Sequence, residues 1–465
     1  MSILRELPEF DFVIPVLVVG AGACGLTAAM AAADGGAEVL VLERDASPLG
    51  STSMSTGMIP APGSAEQAAA GIDDNPELFV QDMIRKTEGG VNVELARLLA
   101  NEAVETISWL RDKHGVPFIL IDDYIYPGHS RMRMFATPKR SGAELQAALE
   151  AGATNAGVSV LTEATVRHLY VDADDRVRGV RIERPDGSFE DIGCESLILA
   201  CCGYGGNPDL VRRYIPELGD IQYHGHSGNQ GDAVLWGEEL GAALADMDGY
   251  QGHGGLAAGY GVPILWPQIM EGGFQINAEG KRFSDESKGY SEQAAKVSVQ
   301  PGGYAWTIMD ERLHTLMMKF EDYRDALDAG AVQTADNIEH LAEITSTPLE
   351  ALRQTILAVE AATRGEAEDE FGRNFTGKPV LQAPYRTAKV VGALFHTQGG
   401  LDVDAEARVK RADGTTFPNL FAGGGAARGV SGSGPAGYLA GHGLLTATTL
   451  GKLAGRAAAR QVVEG

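Results

Sequence analysis

The chain has 465 residues, more than one hydrophobic core usually serves, so two domains are expected. Its formal net charge of −25 repels phosphate backbones and anionic lipids, which argues against nucleic-acid and membrane partners. The four cysteines form no CxxC pair, so neither an iron–sulfur centre nor a c-type haem is expected. With no signal-peptide pattern and no apolar run of the roughly 18 residues that a spanning helix needs, we expect a cytoplasmic protein.

The first part of the chain has the pattern of a βαβ unit. Residues 15–19 are predicted as a buried strand, 25–33 as a helix and 39–42 as a second strand, the opening of a doubly wound parallel sheet. Further predicted helices cover 91–114 and 141–157, and further predicted strands cover 158–161, 164–171, 177–183 and 197–201.

The composition of the sequence changes near residue 241, where Gly-rich loops and aromatic residues precede polar helical segments near 309–329 and 336–364. After Pro384 short strands and Gly-rich turns return, and the chain ends in a predicted helix at 444–460. Strand signals that resume after an insertion indicate one domain interrupted by another. We therefore predict an α/β fold in which a Rossmann-type domain, residues 1–240 and 386–465, is split by an inserted α+β domain at 241–385.

A GxGxxG motif lies between the first strand and the first helix. Gly20 allows the tight turn, Gly22 lets a diphosphate approach the backbone, and Gly25 lets the helix pack closely on the strand. The helix N-terminus at Ala23 then offers N–H groups to the diphosphate. Glu43 ends the second strand, where its carboxylate can accept hydrogen bonds from an adenosine ribose. This motif predicts a dinucleotide but does not separate FAD from NAD.

Two further segments point to a flavin. The loop after the second strand, residues 50–57, is made of small residues suited to wrapping phosphate and flavin, and the C-terminal strand runs into glycines before the last helix. The N-terminus of that helix could stabilise negative charge on a reduced flavin ring. The remaining expected cofactor contacts are Arg44, Ser51, Thr52, Ser53, Ser55, Gly57, Val166, Gly203, Gly424, Gly441 and Leu444.

Several motifs occur in order along nearly the whole chain: VLVVGAGACGLTAAMAAA, LERDASPLGSTSMSTG, LILACCGYGGN, GGFQINAEGKRFSDES, HTQGGLDVD, NLFAGGG and YLAGHGLLTATTLGKLAG. In these motifs the chain resembles the fumarate reductase/succinate dehydrogenase flavoprotein family. The resemblance implies an FAD-binding domain split by a capping domain, with hydride exchange between flavin N5 and a carbon next to a carbonyl or carboxylate. Members that attach FAD covalently use a histidine in the loop at 50–57. Since that loop has none, we expect FAD to be held non-covalently. Family members often carry Glu where Gly425 stands here.

The substrate residues of fumarate reductases are matched only in part. His253 and His396 occupy positions that bind the dicarboxylate in those enzymes. The two arginines of those enzymes correspond to Tyr290, after the Arg282-Phe283 pair, and to Tyr438, before the last helix. Without these guanidiniums the bidentate donors for carboxylates are missing, so fumarate reduction is not expected.

Tyrosine at both positions resembles the 3-ketosteroid dehydrogenases of the same superfamily. The resemblance implies that Tyr290 removes a proton from the carbon α to a ketone, while Tyr438 and the N–H of His442 polarise the ketone oxygen. Tyr124 and Tyr126 are both candidates for a third functional tyrosine. Developing enolate charge needs neutral hydrogen-bond donors, whereas a phenol with an ordinary pKa near 10 is a poor base unless its phenolate is stabilised.

The leading hypothesis is an FAD-dependent dehydrogenase that introduces a C=C bond next to the carbonyl of a cyclic ketone, of steroid or cyclohexanone type, with an unidentified electron acceptor. The alternatives are an ene-reductase of a conjugated carbonyl or acrylate, with Tyr290 as proton donor, and a flavoprotein subunit of a redox complex. The tyrosines and histidines have structural alternatives too, as packed residues beside Gly-rich turns. No Asp, Glu and His grouping has the spacing of a metal site.

Overall fold

The computed structural model describes residues 2–464. Its larger sheet has nine strands, and the strands at its centre run parallel. Val16, Leu17 and Val18 are fully buried, as expected for a strand covered on both faces. The strand order is Ser2–Leu4, Thr165–Val171, Val177–Glu183, Phe189–Leu199, Val13–Val19, Val39–Leu42 and Ser159–Leu161, with Thr416–Ala422 also paired to Phe189–Leu199 and Arg408–Lys410 beyond it.

Helices cover this sheet, and the helix Ala23–Asp34 packs directly against the last helix, His442–Glu464. The close approach depends on glycine, because a Cβ added at Gly451 would lie 2.5 Å from the carbonyl oxygen of Cys24. The other helices of this domain are Ala65–Ala69, Pro76–Lys86, Val93–Asp112, Gly142–Asn155, Pro208–Tyr214 and Asp232–Leu240, with a small sheet of Ile59–Pro60, Ile119–Ile121 and Met134–Ala136.

The second sheet has six strands arranged around Tyr385–Thr397. Its remaining strands are Gln222–Tyr223, Tyr250–Ala257, Phe274–Ile276, Tyr304–Asp310 and Val332–Ala335. It packs with the helices Pro267–Met270, Tyr290–Ser298, Glu311–Met317, Glu321–Asp328, Ile338–Thr345 and Leu349–Arg364 into a separate hydrophobic core. A two-stranded sheet of Leu244–Ala245 and Gly400–Leu401 lies outside both.

The predicted architecture, a Rossmann-type domain interrupted by a capping domain, is confirmed. The boundary placed between residues 385 and 386 is wrong, because Tyr385–Thr397 is the central strand of the second sheet and the chain rejoins the first domain only after it. The short strand predicted at 197–201 is also too short. It begins at Phe189, since its first half forms an antiparallel hairpin with Val177–Glu183.

The predicted long helical segments of the inserted domain are each two helices. Segment 309–329 breaks between Met317 and Glu321. Segment 336–364 breaks between Thr345 and Leu349, where Ser346 adopts a left-handed backbone conformation and Pro348 has no N–H for a continuing helix. Within residues 2–464, no helix is both long enough and apolar enough to cross a lipid bilayer.

Candidate active site

A single continuous cavity runs from the carboxyl ends of the parallel strands to the inserted domain. Ligands of α/β sheets bind at this edge of the sheet. Glu43, Arg44 and Thr52 line one end of the cavity, and Tyr290 and Tyr438 line the other. The cavity therefore connects the predicted nucleotide residues with the predicted substrate residues.

At the nucleotide end the glycine motif has the geometry that its sequence predicts. Gly20 has φ +104°, and a Cβ there would lie 2.6 Å from the carbonyl oxygen of Ala200. Gly25 lies directly against the carbonyl of Gly20, so helix and strand approach closely. The helix begins at Ala23, whose N–H donates to Thr52 Oγ1 at 2.9 Å. The turn therefore presents the helix N-terminus to the cavity.

Glu43 and Arg44, which follow the strand Val39–Leu42, have different hydrogen-bond partners. Glu43 Oε2 accepts a hydrogen bond from the N–H of Ala21 at 2.8 Å, and its side chain still lines the cavity. Arg44 donates to the carbonyl oxygen of Gly228 at 2.6 Å and to Asp232 at 2.5 Å. Arg44 is therefore tied to the neighbouring loop at the nucleotide end, far from the aromatic end.

The serine-rich loop supports its own turn. Ser53 Oγ donates to the carbonyl oxygen of Gly50 at 2.8 Å, and Ser55 Oγ donates to that of Thr52 at 2.7 Å. The N–H of Gly57 donates to Ser55 Oγ at 3.0 Å. Ser53 and Gly57 therefore stabilise the loop through hydrogen bonds within it and do not line the cavity. Ser51, Thr52 and Ser55 do line it.

These residues fit a dinucleotide such as FAD, because a helix N-terminus, a glycine turn that excludes side chains and a strand-end carboxylate share one cavity. At Gly425 a Cβ would lie 2.8 Å from the N atom of Gly203, so the neighbouring backbone leaves no room for a side chain. Of the predicted cofactor residues, those that line the cavity are Gly20, Gly22, Ala23, Glu43, Arg44, Ser51, Thr52, Ser55, Val166, Gly424, Gly441 and Leu444. Those that lie behind its wall are Gly25, Ser53, Gly57 and Gly203.

The two predicted catalytic tyrosines meet at the aromatic end. Tyr290 begins the helix Tyr290–Ser298 of the inserted domain, and Tyr438 precedes the last helix of the first domain. Their ring centroids lie 6.0 Å apart with the planes at 66°. Two distant parts of the chain therefore bring phenols to the same point, at the junction of the domains.

His253 and His396 lie beside these phenols as neutral donors. His253 is 5.2 Å from Tyr290, ring to ring, and His396 is 5.4 Å from Tyr438. His253 Nδ1 accepts from the N–H of Gly255 at 3.1 Å, and His396 Nδ1 accepts from Gln398 Nε2 at 2.7 Å. In a neutral His253 ring the proton is then on Nε2, which gives this residue an Nε2–H donor. His396 Nδ1 has an acceptor as a neighbour as well, because the carbonyl oxygen of Thr397 lies 3.4 Å away.

Burial determines the charge state of this group. It lowers the pKa of His253 to about 3 and that of His396 to about 4, so both stay neutral near pH 7. Burial, and then the nearby phenol of Tyr438, raise the pKa of Tyr290 well above its ordinary value. Burial also raises the pKa of Tyr438, while the N–H groups of Gly441 and Gly443 act in the opposite direction. The aromatic end is therefore a set of neutral donors.

His442 differs from its predicted role. Its N–H, which was expected to polarise a ketone, donates to the carbonyl oxygen of Leu439 at 3.2 Å, and its ring is fully buried against Ser431. The N–H groups that lie by the hydroxyl of Tyr438 belong instead to Gly441 and Gly443. Within residues 2–464 neither of them has a backbone acceptor. The turn before the last helix therefore offers two other N–H groups for the oxygen.

Sequence reasoning left other lining residues undecided or unnoticed. Tyr124 and Tyr126 both line the cavity, and their hydroxyls bond to each other. Asp322 is the one carboxyl at this end, and within the described part of the chain it has no hydrogen-bond or ion-pair partner. The apolar residues of the wall are Ile125, Pro263, Leu265, Trp266, Met270 and Phe395, beside the polar His224, Gln251 and Gln398. Among the described residues at this end, none is an arginine or a lysine.

Comparisons with known proteins identify the family and the fold of the chain. The family described as an FAD binding domain matches residues 15–444. A probable fumarate reductase of Shewanella frigidimarina, Ifc3, is 28% identical over 454 residues, which cover 97% of this chain and 75% of the relative. The open conformation of a flavocytochrome c3 fumarate reductase superposes with a TM-score of 0.82 at 27% identity, covering 98% of this chain and 79% of the other. A 3-ketosteroid-delta4-(5alpha)-dehydrogenase from Rhodococcus jostii, solved with 4-androstene-3,17-dione, gives 0.76 at 24% identity over 97% and 98%, which supports the fold alone.

Proposed function

The chain belongs to the FAD binding domain family, and from that premise we propose that this FAD-dependent oxidoreductase introduces a C=C bond next to the carbonyl of an apolar cyclic ketone. One observation carries the proposal. Tyr290 and Tyr438 meet 6.0 Å apart in a pocket end whose described residues include no arginine or lysine. A pocket of phenols and neutral imidazoles suits a ketone, whereas a dicarboxylate needs cationic partners.

The apolar wall supports a ring as the substrate. Leu265, Trp266, Met270 and Phe395 offer aliphatic and aromatic surface to a hydrocarbon skeleton. Burying such a skeleton stabilises the complex by about 25 cal/mol per Å² of apolar surface. A small acid such as fumarate has little apolar surface to bury here and would face neutral donors and the carboxyl of Asp322, with no cation among the lining residues at this end.

The chemistry follows from the positions of the side chains. The hydroxyl of Tyr438 and the N–H of Gly443 donate to the ketone oxygen and stabilise the negative charge that develops on it. This charge acidifies the neighbouring C–H, and Tyr290 accepts that proton only after its own hydroxyl proton has passed to solvent, a loss that burial disfavours near pH 7 and that higher pH promotes. FAD, when bound, supplies the hydride acceptor for the adjacent carbon. Tyr126, whose hydroxyl bonds to that of Tyr124, contributes to the raised pKa of Tyr290.

The reverse reaction is the second candidate, and the protonation state of Tyr290 favours it. Burial raises the pKa of this phenol, so it holds its proton near pH 7 and is a better acid than base. A protonated Tyr290 could deliver a proton to the α carbon of a conjugated carbonyl. The fumarate reductases at 27% and 28% identity are also named for reduction.

Anaerobic stopped-flow mixing tests the proposal and separates the candidates. For a dehydrogenase, cyclohexanone or a saturated 3-ketosteroid should bleach the oxidised flavin band, and Tyr290→Phe should keep FAD but lose about 100- to 10,000-fold in the bleaching rate. For a reductase, the dithionite-reduced protein should be reoxidised by a conjugated enone or acrylate. Failure of every ketone, enone and acid, with a stable co-purifying partner, would instead indicate a redox subunit and refute the proposal.

We further propose that FAD is held without a covalent bond. The loop at 50–57 has no histidine that could link to a flavin, and Thr52 and Ser55 lie against the cavity. Precipitation with trichloroacetic acid should therefore release all of the yellow colour into the supernatant. Flavin fluorescence that stays with the chain on a denaturing gel would contradict this.

A further inference from the structure

A buried hydrogen-bond network lies directly behind Tyr438, on the side away from the cavity. His129 Nε2 contacts the carbonyl oxygen of Ala440 at 3.1 Å, and Ala440 lies between Tyr438 and the last helix. His129 comes from a segment more than 300 residues earlier, and its ring is buried against Phe79 with centroids 5.6 Å apart. The contact therefore joins two distant parts of the first domain at the catalytic turn.

The direction of this hydrogen bond is fixed by Arg133. Arg133 Nη1 lies 3.2 Å from His129 Nδ1, and because a guanidinium has only donors, Nδ1 must accept. The proton of the neutral ring is then on Nε2 and is donated to Ala440. Burial, and then the charge of Arg133, lower the pKa of His129 to about 3, so the ring keeps this form near pH 7.

Arg133 is in turn held rigidly. It is fully buried, and its Nε and Nη2 donate to the two oxygens of Asp74 at 2.9 Å each, while Nη1 donates to Asp82 at 2.5 Å. Bidentate pairs of this kind fix a guanidinium in orientation as well as position. The orientation of His129 is therefore set by a satisfied ionic cluster and not by packing alone.

The consequence for the active site follows from peptide geometry. In a planar trans peptide the C=O and the next N–H point in opposite directions. His129 draws the carbonyl of Ala440 toward the buried network, so the N–H of Gly441 points the other way, to the side of Tyr438. That N–H is one of the two that lie by the Tyr438 hydroxyl. Gly441 has φ +83°, and a Cβ there would lie 2.6 Å from Pro60, so only glycine fits.

We infer that His129 is a positioning residue. Its hydrogen bond to Ala440 orients the N–H of Gly441 toward the Tyr438 hydroxyl and so fixes the geometry of the donors that hold the ketone oxygen. This inference rests on the proposed function, because the oxygen in question is that of the proposed ketone. His129 does not line the cavity, so its side chain would not touch a ligand bound there. It acts through the backbone, as residues behind a catalytic group do when they fix its orientation.

The test compares three variants of the holoenzyme. His129→Phe keeps the stacked ring and removes the donor, whereas His129→Gln restores an N–H at a similar reach. His114→Phe is the matched control, because His114 is a buried histidine of the same domain that contacts Asp34 and does not line the cavity. If His129→Phe does not fold, His129→Asn replaces it, since its amide is too short to reach Ala440.

Two quantities are measured: kcat for ketone bleaching, and the infrared carbonyl frequency of bound cyclohex-2-enone. We expect His129→Phe to bind FAD, to lose about 10- to 100-fold in kcat, and to lose part of the downshift that wild-type protein imposes on the carbonyl band. His129→Gln should recover most of both, and His114→Phe should change neither. A carbonyl band and kcat unchanged in His129→Phe would overturn the role of His129. A loss in His129→Phe that His129→Gln does not recover would overturn it too. Wild-type protein that neither binds nor polarises the enone would refute the proposed function itself.

Discussion

Removing the hydroxyl of Tyr438 is the most direct test of the site. Tyr438→Phe keeps the ring, which packs edge-on against Tyr290 and His396, so we expect no cavity and little loss of stability. The change removes one hydrogen-bond donor from the ketone oxygen. Loss of one such donor costs about 100- to 1,000-fold in kcat, or about 2.7–4 kcal/mol of transition-state stabilisation.

The structure places the expected effect at the lower end of this range. The N–H groups of Gly441 and Gly443 remain beside the vacated position, and the neutral ring of His396 lies 5.4 Å away, centroid to centroid. We therefore expect a loss of about 100-fold in kcat, which corresponds to about 2.7 kcal/mol. The KM should change by less than about threefold, because the interaction strengthens mainly as charge develops on the oxygen.

The assay is the rate of flavin bleaching by a saturating cyclic ketone under anaerobic conditions. Tyr250→Phe provides the matched control, since Tyr250 is a fully buried tyrosine of the inserted domain that does not line the cavity, and its hydroxyl has no hydrogen-bond partner within the described chain. The control should bleach at the wild-type rate. If Tyr438→Phe did the same with full FAD content, Tyr438 would not contact the reacting carbonyl.

Three further predictions concern selectivity, cofactor and pH. Burial, followed by Asp325 and Glu321, raises the pKa of Asp322 to about 6, so its carboxylate faces the cavity above that pH. Asp322→Asn should lower the KM for ring ketones that carry a carboxylate and leave neutral ketones unchanged, and equal KM values for both in the wild type would contradict this. Gly20→Ala should weaken FAD retention on a desalting column, because a Cβ would meet Ala200 in a backbone conformation that costs about 1–3 kcal/mol for other residues; undiminished retention would count against the glycine turn. Burial depresses the pKa of His253 to about 3, so between about pH 6.5 and pH 3 the folded state binds fewer protons than the unfolded state. In urea unfolding, stability should fall on acidification through this window by up to about 1.4 kcal/mol per pH unit for this histidine. A His253→Phe variant with an equally steep decline would remove this explanation.

The nucleotide half of the site could be predicted from sequence because its residues act locally. Gly20, Gly22 and Glu43 lie within one βαβ unit, and the strand–turn–helix that they encode fixes their geometry over a few residues. The same locality explains the strand Val39–Leu42, which has the predicted bounds. The helix Pro76–Lys86 was not predicted, because its apolar pattern extends over only a few turns and its stability comes from tertiary packing.

The substrate half was harder to predict because its contacts join residues far apart in sequence. Tyr290 and Tyr438 could be assigned only by resemblance, since nothing local to either residue requires them to meet. The error at His442 has a local cause: its N–H is taken by Leu439 as the turn closes into the last helix. That outcome depends on the backbone path around Gly441, which no side-chain pattern reveals.

The charge state of the pocket links the tyrosines to the choice of substrate. An arginine beside Tyr290 would stabilise its phenolate but would also bind carboxylates, so a site with both properties would accept acids. Here burial keeps His253 and His396 neutral, and the N–H groups of Gly441 and Gly443 oppose the effect of burial only on Tyr438. Backbone N–H groups stabilise a developing oxyanion without adding a net charge that would attract anions. A pocket built in this way can stabilise an enolate and still favour neutral ligands, which is the combination that an apolar ketone requires.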